Sequence, residues 1–428
     1  MRSRRRSRAA VVEREVVIET LGDQGDGLAR VDGRRLVVPG ALPGERHRVR
    51  FETSGGTTGA NRVVAKSLEQ RASPARIEPL CPHVPACGGC VTQHLAADAE
   101  LAWKQERVRL ALERRGLTAP VHVGHQSPLQ SRRRLRLGVQ RRGAELWLGY
   151  RGRQSHRVVD VAHCPIARPE LIALLPALRR ALQAWACRPE ELVLTAYAAG
   201  PEVVLRGGDG LTLADREAVS AFAKTADLAR VAWQPTADVP AELVVERRQP
   251  ELSWPGLSVV PPVGAFLQAT AEAEAYLQAT LAGWLEGSGR VLDLFAGIGT
   301  LTAAAMSTGA RTLAVERDAL AVAALRAAGV EAVARDLDRR PFMLPDLARF
   351  DAAVLDPPRA GAEVQSRMLA AAHVPLVVYV SCAPTSFARD AQLLVDGGYR
   401  LCEVRMVDQF RFAAEVELIG LFDREKAP

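Results

Sequence analysis

The chain opens with short apolar runs separated by glycine-bearing turns, at 11–18, 25–31, 36–38 and 49–51. Their length and spacing predict strands of a small twisted β-barrel or sandwich over residues 11–66. The Gly-Ala-Leu-Pro-Gly run at 40–44 marks a loop, and 54–59 reads as a second turn-rich segment. Residues 67–93 are Pro-rich and irregular. An Ala-, Leu-, Glu- and Arg-rich stretch then predicts a helix over 96–115, ended by Gly116. Alternation returns at Leu135, Leu137 and Val139 and again at Leu146, Leu148 and Tyr150, so 130–160 reads as strands. Residues 166–187 read as helical, with Pro169 near the start, and 191–250 as mixed strands and helices.

From 251 the rhythm becomes βαβ, the mark of an open parallel sheet. Predicted strands are 291–295, 312–316, 352–356 and 376–380, with an alanine-rich helix at 319–328. Two later strands, 399–407 and 416–422, read as an antiparallel pair at one side of that sheet. The predicted organisation is multidomain. A basic disordered tail (1–10) precedes a β-barrel (11–66) and a middle α/β domain (67–250), whose helix 96–115 is free to pack on the catalytic domain. A Rossmann-like α/β domain (251–428) completes the chain.

Composition changes this picture in three ways. Hydrophobic residues make up 48% of 428 residues, enough for real cores, while aromatics at 5% leave the packing to Leu, Val and Ala. The net charge of +7 points to a polyanionic partner, RNA or DNA first. No stretch is long and apolar enough to span a membrane, and no apolar segment follows the basic start, so a cytoplasmic protein without a membrane partner is expected. Three of the seven cysteines crowd into Cys81, Cys87 and Cys90, which suits a metal site better than disulfides.

The sharpest chemical signal is the run from Leu292 to Thr300. A strand ends in Asp293, passes Phe295, and turns through Gly297 and Gly299 into a helix. Glycine lets the backbone approach a ligand that a Cβ would block. Glu316 closes the next strand, where a carboxylate can hold the hydroxyls of a ribose. The third glycine of a dinucleotide fingerprint is missing, which disfavours NAD or FAD and suits S-adenosylmethionine. Asp336 follows the run 331–335 and is placed near the adenine, with a helix cap as its plain alternative. Asp356-Pro357-Pro358-Arg359 follows another strand; its prolines stiffen the loop, and Arg359 in place of an aromatic argues against a nitrogen target.

Cys382 ends the strand 377–381 and points to the same crevice. A thiolate there can add to C6 of uracil and so activate C5 toward a methyl donor. A base then removes the C5 proton. Glu415 and Glu417, two apart in a strand-like run, are both candidates on spacing.

With these residues in view, the chain resembles the bacterial RNA 5-methyluridine (uracil-5-)methyltransferases, nearest to the 23S rRNA members with a TRAM domain and an iron–sulfur cluster. The marks are Cys81-x5-Cys87-Gly-Gly-Cys90, Val159-Asp160-x3-Cys164-Pro165, Phe266-x-Gln268, the Asp293 loop, Asp356-Pro357-Pro358-Arg359 and Ser381-Cys382-x-Pro384. The resemblance implies a TRAM, oligonucleotide-type barrel at 11–66. It implies Cys382 as nucleophile, Glu417 as base, Asp356 holding cofactor and uracil, and Gln268, Asp293 and Glu316 at the cofactor. The expected function is methyl transfer from S-adenosylmethionine to C5 of a flipped-out uridine in structured RNA, 23S rRNA first, by a monomer. A tRNA uridine, a cytosine, or a non-catalytic RNA-binding or assembly role are the alternatives. Ala383, Glu415 and Thr270 depart from the family's usual Asn, His and Asn. Glu415 puts an acid near the base, where like charges would raise the proton affinity of one of the two.

Cys164 is the best fourth partner for Cys81, Cys87 and Cys90, and the resemblance places it there. Four thiolates suit zinc or an iron–sulfur cluster, and the resemblance favours a 4Fe-4S cluster. The densest basic run comprises Arg132, Arg133, Arg134, Arg136, Arg141, Arg142, Arg151, Arg153 and Arg157, with Glu145 the only acid between 131 and 157. Paired as a hairpin, these strands would set many guanidiniums on one face as an RNA surface.

Overall fold

The computed structural model describes residues 11–52, 62–71, 73–153 and 155–424; the basic tail 1–10 and the turn expected at 54–59 lie outside them. The chain divides into two compact units. One comprises Met1–Pro85, Gly89–Arg107 and Phe412–Ala414; the other comprises Ala86–Gly88, Val108–Arg411 and Glu415–Pro428.

In the first unit the strands are β1 (Val11–Val17), β2 (Thr20–Leu21), β3 (Gly27–Val31), β4 (Arg34–Val38), β5 (Arg46–Glu52), β6 (Arg62–Val64) and β7 (Lys66–Arg71). They form two sheets, β1-β5-β7 and β2-β3-β4-β6. Val16, Ile18, Leu36, Val38 and Val49 are buried in one apolar cluster. Alternation is the cause: the inward positions are β-branched or Leu, and the outward ones are mostly charged. Gly27 is obligatory there, because a Cβ would sit 2.8 Å from the Ala41 carbonyl oxygen. The expected helix is α1 (Ala97–Glu113), followed by Gly116 in the left-handed region at φ 71°.

The second unit holds two large sheets. Its elements up to residue 260 are β8 (Val121–Gln126), β9 (Arg134–Arg142), β10 (Glu145–Arg151), β11 (Val158–Asp160), α2 (Pro169–Ala173), α3 (Leu175–Ala184), β12 (Glu191–Tyr197), β13 (Gly200–Arg206), α4 (Leu213–Thr225), β14 (Arg230–Gln234), β15 (Glu242–Glu246), β16 (Leu252–Trp254) and β17 (Leu257–Val259). The expected single helix over 166–187 is two, α2 and α3, because Pro176 in the first turn of α3 has no N–H to continue the α2 ladder. The first large sheet runs β11-β10-β9-β12-β13-β14-β15. Leu135, Leu137 and Leu148 on one of its faces are buried with Leu171, Leu178 and Val219 of α2, α3 and α4.

The remaining elements are α5 (Ala271–Trp284), β18 (Arg290–Leu294), α6 (Thr300–Ser307), β19 (Arg311–Glu316), α7 (Ala319–Ala327), β20 (Glu331–Ala334), α8 (Leu344–Leu347), β21 (Ala352–Leu355), α9 (Glu363–Ala372), β22 (Leu376–Ser381), α10 (Pro384–Asp396), β23 (Arg400–Asp408) and β24 (Glu417–Asp423). They build a sheet of order β20-β19-β18-β21-β22-β24-β23-β8. Strands β18 to β22 pair in parallel, and β24 is antiparallel to both β22 and β23. The late antiparallel pair is therefore present, but it does not close the sheet. Strand β8 adds outside β23, in parallel. Its residues fall within the stretch read as the middle domain. Hydropathy could not show this, because Val-His-Val-Gly-His-Gln carries no record of its partner. Gly124 permits the packing, since a Cβ there would meet the Tyr276 hydroxyl at 2.2 Å.

Among the described residues no helix is long and apolar enough to cross a membrane.

Candidate active site

The carboxyl ends of β18, β19, β21 and β22 deliver Asp293, Glu316, Asp356 and Cys382 to one edge of the parallel sheet. This is where open α/β sheets bind ligands. After β18 the backbone is tight. Phe295 takes a left-handed φ of 64°, costly for a residue with a Cβ, and Gly297 and Gly299 follow at 55° and 93°. Gly299 caps α6, and a Cβ on it would meet Leu325 Cδ2 at 2.6 Å.

Asp293 is fully buried. Its Oδ2 accepts from Thr302 Oγ1 at 2.5 Å, while Oδ1 has no partner among the described residues. Burial pushes this carboxyl up to about 7; the Thr302 hydroxyl opposes the rise, and the negative charges of Asp356 and Glu316 add to it. Glu316 braces the loop. Its Oε2 accepts from Gly297 N at 2.9 Å, and its Oε1 from Arg317 N at 2.7 Å and Asp318 N at 2.8 Å. A carboxylate has about four acceptor positions. A grip on both hydroxyls of a ribose therefore requires one backbone donor to give way. Asp336 Oδ1 accepts from Asp338 N at 3.1 Å and Arg339 N at 3.3 Å, closing the turn after β20.

The Asp-Pro-Pro-Arg loop is pinned from beneath. Ala362 N donates to Asp390 Oδ2 at 2.7 Å and to the Tyr379 hydroxyl at 3.0 Å, and that hydroxyl donates to Asp390 Oδ2 at 2.6 Å. Ser386 Oγ donates to the Arg359 carbonyl at 2.9 Å. Asp356 is thus held by a stiff frame.

Cys382 is half-buried just beyond β22 and before the N-terminus of α10. Ala383 is the N-cap and supplies no side-chain cap. The loop is braced instead by Ser381 Oγ, which accepts from Ala383 N at 3.2 Å. Burial pushes the thiol up to about 11; the Glu417 carboxylate pushes further, Arg359 pulls it down, and Asp356 raises it again. The resting sulfur therefore carries its proton at neutral pH.

Glu417 and Gln268 are each 3% exposed. Gln268 Nε2 donates to Asp356 Oδ2 at 3.2 Å. Gln409, which sequence reasoning missed, donates to Gln268 Oε1 at 2.7 Å and to Glu417 Oε2 at 2.9 Å. Burial and the Asp356 charge raise Glu417 well above the usual carboxylate range. Glu415 is not what raises it. Its carboxylate faces Arg359 Nη1 at 3.4 Å, so the like-charge effect expected from Glu415 comes from Asp356 instead.

A model of the TRAM domain matches residues 11–54. An RNA methyltransferase of Caulobacter vibrioides is 37% identical over 428 residues, covering 96% of this chain and 100% of its own length. The 23S rRNA (uracil(1939)-C(5))-methyltransferase of Yersinia enterocolitica is 33% identical over 433 residues, covering 96% of this chain and 95% of its own. The chain belongs to the RNA (uracil-5-)methyltransferase family. A solved structure, the tRNA (uracil-54, C5)-methyltransferase of Pyrococcus abyssi in complex with S-adenosyl-L-homocysteine, shares the fold with a TM-score of 0.73 at 21% identity, over 95% of this chain and 99% of that one.

An RNA methyltransferase needs a basic surface, and the arginine run divides on this point. Arg133 is not available to a phosphate. It is buried, ion-paired with Glu274, and its Nε donates to the Gln268 carbonyl at 2.9 Å. Arg134 and Arg132 are half-buried; Arg134 Nη2 reaches the Gly264 carbonyl at 3.4 Å and Arg132 Nε the Arg134 carbonyl at 3.2 Å. Arg136 is exposed but paired with Glu191, and Arg141 donates to the Leu182 carbonyl at 3.1 Å. Arg153 is half-buried. Arg142, Arg151 and Arg157 reach solvent, with Arg142 and Arg157 each 5.1 Å from the centroid of the Trp147 ring. The single basic face expected from 132–157 is thus a smaller patch. Strand alternation turns some guanidiniums inward, where carbonyls and Glu274 hold them.

The cysteines are also divided. Cys87 bridges to Gly152 beside the end of β10, and Cys164 Sγ lies 4.0 Å from the Tyr150 hydroxyl on the same strand. Gly88 must be glycine here, because a Cβ would sit 2.8 Å from the Arg151 carbonyl oxygen. Cys81 and Cys90 belong to the first unit. Among the described residues no group of three or more His, Cys, Asp or Glu is arranged to hold a metal ion.

Proposed function

We propose that the protein transfers a methyl group from S-adenosylmethionine to C5 of a uridine in structured RNA, 23S rRNA first, through a covalent adduct between Cys382 and C6. The observation that carries this is the convergence of a half-buried thiol at the end of β22 with two carboxylates, the half-buried Asp356 and the buried Glu417, that act on it electrostatically. The 33% identity to a 23S rRNA uracil-C5 enzyme over 96% of the chain supports the target class. S-adenosylmethionine supplies the methyl group when bound beside Asp293, Phe295, Gly297, Gly299, Glu316 and Gln268. Asp356 orients the uracil. The Cys382 thiolate adds to C6, and the electron pair displaced to C5 takes the methyl group. Glu417 then removes the C5 proton, the C5–C6 double bond re-forms, and the C6–S bond breaks to return the thiolate. The thiol must lose its proton on substrate binding. Arg359 and the α10 N-terminus are the positive features beside it.

The test is adduct formation with 5-fluorouridine-containing RNA, which has no C5 proton to lose. A stable complex is expected from the native chain and none from Cys382→Ala. A folded Cys382→Ala protein that still makes 5-methyluridine refutes the assignment.

The same reading gives Cys81, Cys87, Cys90 and Cys164 to a 4Fe-4S cluster, zinc being the alternative. Its support is the resemblance, which supplies this cysteine set, with Cys87 bridged to Gly152 and Cys164 beside Tyr150. Anaerobically purified protein is expected to contain iron and acid-labile sulfide, and zinc without sulfide overturns the cluster. The RNA surface is assigned to Arg136, Arg142, Arg151 and Arg157, with Arg132, Arg134 and Arg153 at its margin.

A further inference from the structure

A buried carboxylate, a half-buried one, two amides and one backbone N–H form a hydrogen-bonded set whose orientations are all determined. Ala269 N donates to Gln409 Oε1 at 2.8 Å. A backbone N–H can only donate, so this bond identifies the Gln409 oxygen. Its Nε2 is then the atom facing Gln268 Oε1 at 2.7 Å and Glu417 Oε2 at 2.9 Å, and both of its protons are used. Gln268 has its oxygen committed, so its own Nε2 faces Asp356 Oδ2 at 3.2 Å. Gln268, Gln409 and Glu417 are each 3% exposed, so water does not compete for these bonds. Arg133 fixes the far end. It donates through Nε to the Gln268 carbonyl at 2.9 Å and through its backbone N–H to the Ala269 carbonyl at 3.0 Å.

We propose that Gln409 is a positioning residue for proton abstraction: its amide occupies Glu417 Oε2, turns Oε1 toward the C5 proton, and ties the base to Asp356 through Gln268. This rests on the reading of Glu417 as the base. The physical need is clear. Glu417 is buried beside another carboxylate, and both effects favour its protonated, useless form. Among the described residues the donor from Gln409 is the hydrogen bond that opposes them. Without it nothing among the described residues offsets the rise, and the protonated form gains further. Breaking of the C5–H bond then slows, and with it the return of the C5–C6 double bond and the breaking of the C6–S bond. The enzyme stays joined longer to a methylated base.

The test uses Gln409→Met, similar in length but without a donor, and Gln409→Leu, smaller and also without a donor. The full chain is given unmodified 23S rRNA transcript and methyl-labelled S-adenosylmethionine in single turnover. Denaturing gels separate the covalent protein–RNA adduct from released product. Both variants are expected to accumulate a labelled adduct that the native chain does not. Release should slow about tenfold or more, and its acidic limb should move up by about one pH unit, the shift carried by one hydrogen bond to a charged group. Release at the native rate with an unmoved pH profile overturns the proposal. So do variants that bind S-adenosylhomocysteine normally yet form no adduct and transfer no label, because Gln409 would then serve the thiol step. The smaller Leu variant decides the matter if the Met variant does not fold. A native chain that makes no 5-methyluridine sinks the functional reading itself, a separate result from the failure of Gln409 alone.

Discussion

Replacing Arg133 by Met separates structure from RNA binding at one position. Both members of the Arg133–Glu274 pair are nearly sealed, with side chains 7% and 6% exposed. Among the described residues Glu274 has one other donor, Trp254 Nε1 at 3.0 Å. Arg133→Met removes the cation and leaves a buried carboxylate with the indole alone. Breaking a buried pair from one side costs about 3–5 kcal/mol, most of it the stranded charge. The loss should appear in urea unfolding of the full chain followed by tryptophan fluorescence. Adding Glu274→Met removes the stranded charge, and the double variant should recover much of the loss, since an apolar pair of similar volume often matches a buried ion pair. Affinity for S-adenosylhomocysteine should fall with the single variant, because Arg133 holds the Gln268 carbonyl. The slope of log K against log salt for RNA should not change, because a guanidinium sealed against Glu274 neutralises no phosphate. A single variant costing under about 1 kcal/mol, or one whose salt slope falls by about one, refutes the reasoning.

The surface arginines should behave in the opposite way. Arg142→Glu with Arg157→Glu should leave the unfolding midpoint nearly unchanged and lower the salt slope of RNA binding by about one for each phosphate no longer neutralised, as filter binding would show; an unchanged slope removes this patch from the interface. The Cys382 thiol, pushed up to about 11, should be alkylated slowly by iodoacetamide in the ligand-free chain. The rate should rise about tenfold per pH unit from about 7 to 10, because only the thiolate reacts; a plateau below about pH 9 in peptide mass spectrometry contradicts this. Gly299→Ala places a Cβ 2.6 Å from Leu325 Cδ2 on a backbone with φ of 93°. It should cost about 1–3 kcal/mol and weaken S-adenosylhomocysteine binding, and an unchanged melting temperature refutes the strain.

Strand-end chemistry was legible along the chain because it is local. An apolar run stopping at Asp293, Asp356 or Cys382 specifies both the strand and the edge that its last residue occupies. The glycines at 297 and 299 announce a turn for the same reason. Four of the N-terminal strands, β1, β3, β4 and β5, were readable from short apolar runs set between glycine turns. Pairing across long separations was not legible. Gln126 of β8 pairs with Asp408 of β23, 282 residues further on, so nothing in the composition of β8 names the catalytic sheet. The arginine run shows the same limit from another side. Sequence places Arg132, Arg133 and Arg134 together, but only the packed structure turns Arg133 onto Glu274 and away from solvent.

Gln409 marks the division most clearly. In sequence it is a polar residue between Asp408 and Phe410, with no motif attached. Its significance arises when two segments far apart in the chain meet, one carrying Gln268 and Ala269 and the other Gln409 and Glu417, around one amide. Local sequence determined which residues could do chemistry, because spacing and strand ends act over a few residues. Tertiary structure decided which of them meet, because burial and hydrogen-bond direction depend on what folds against them.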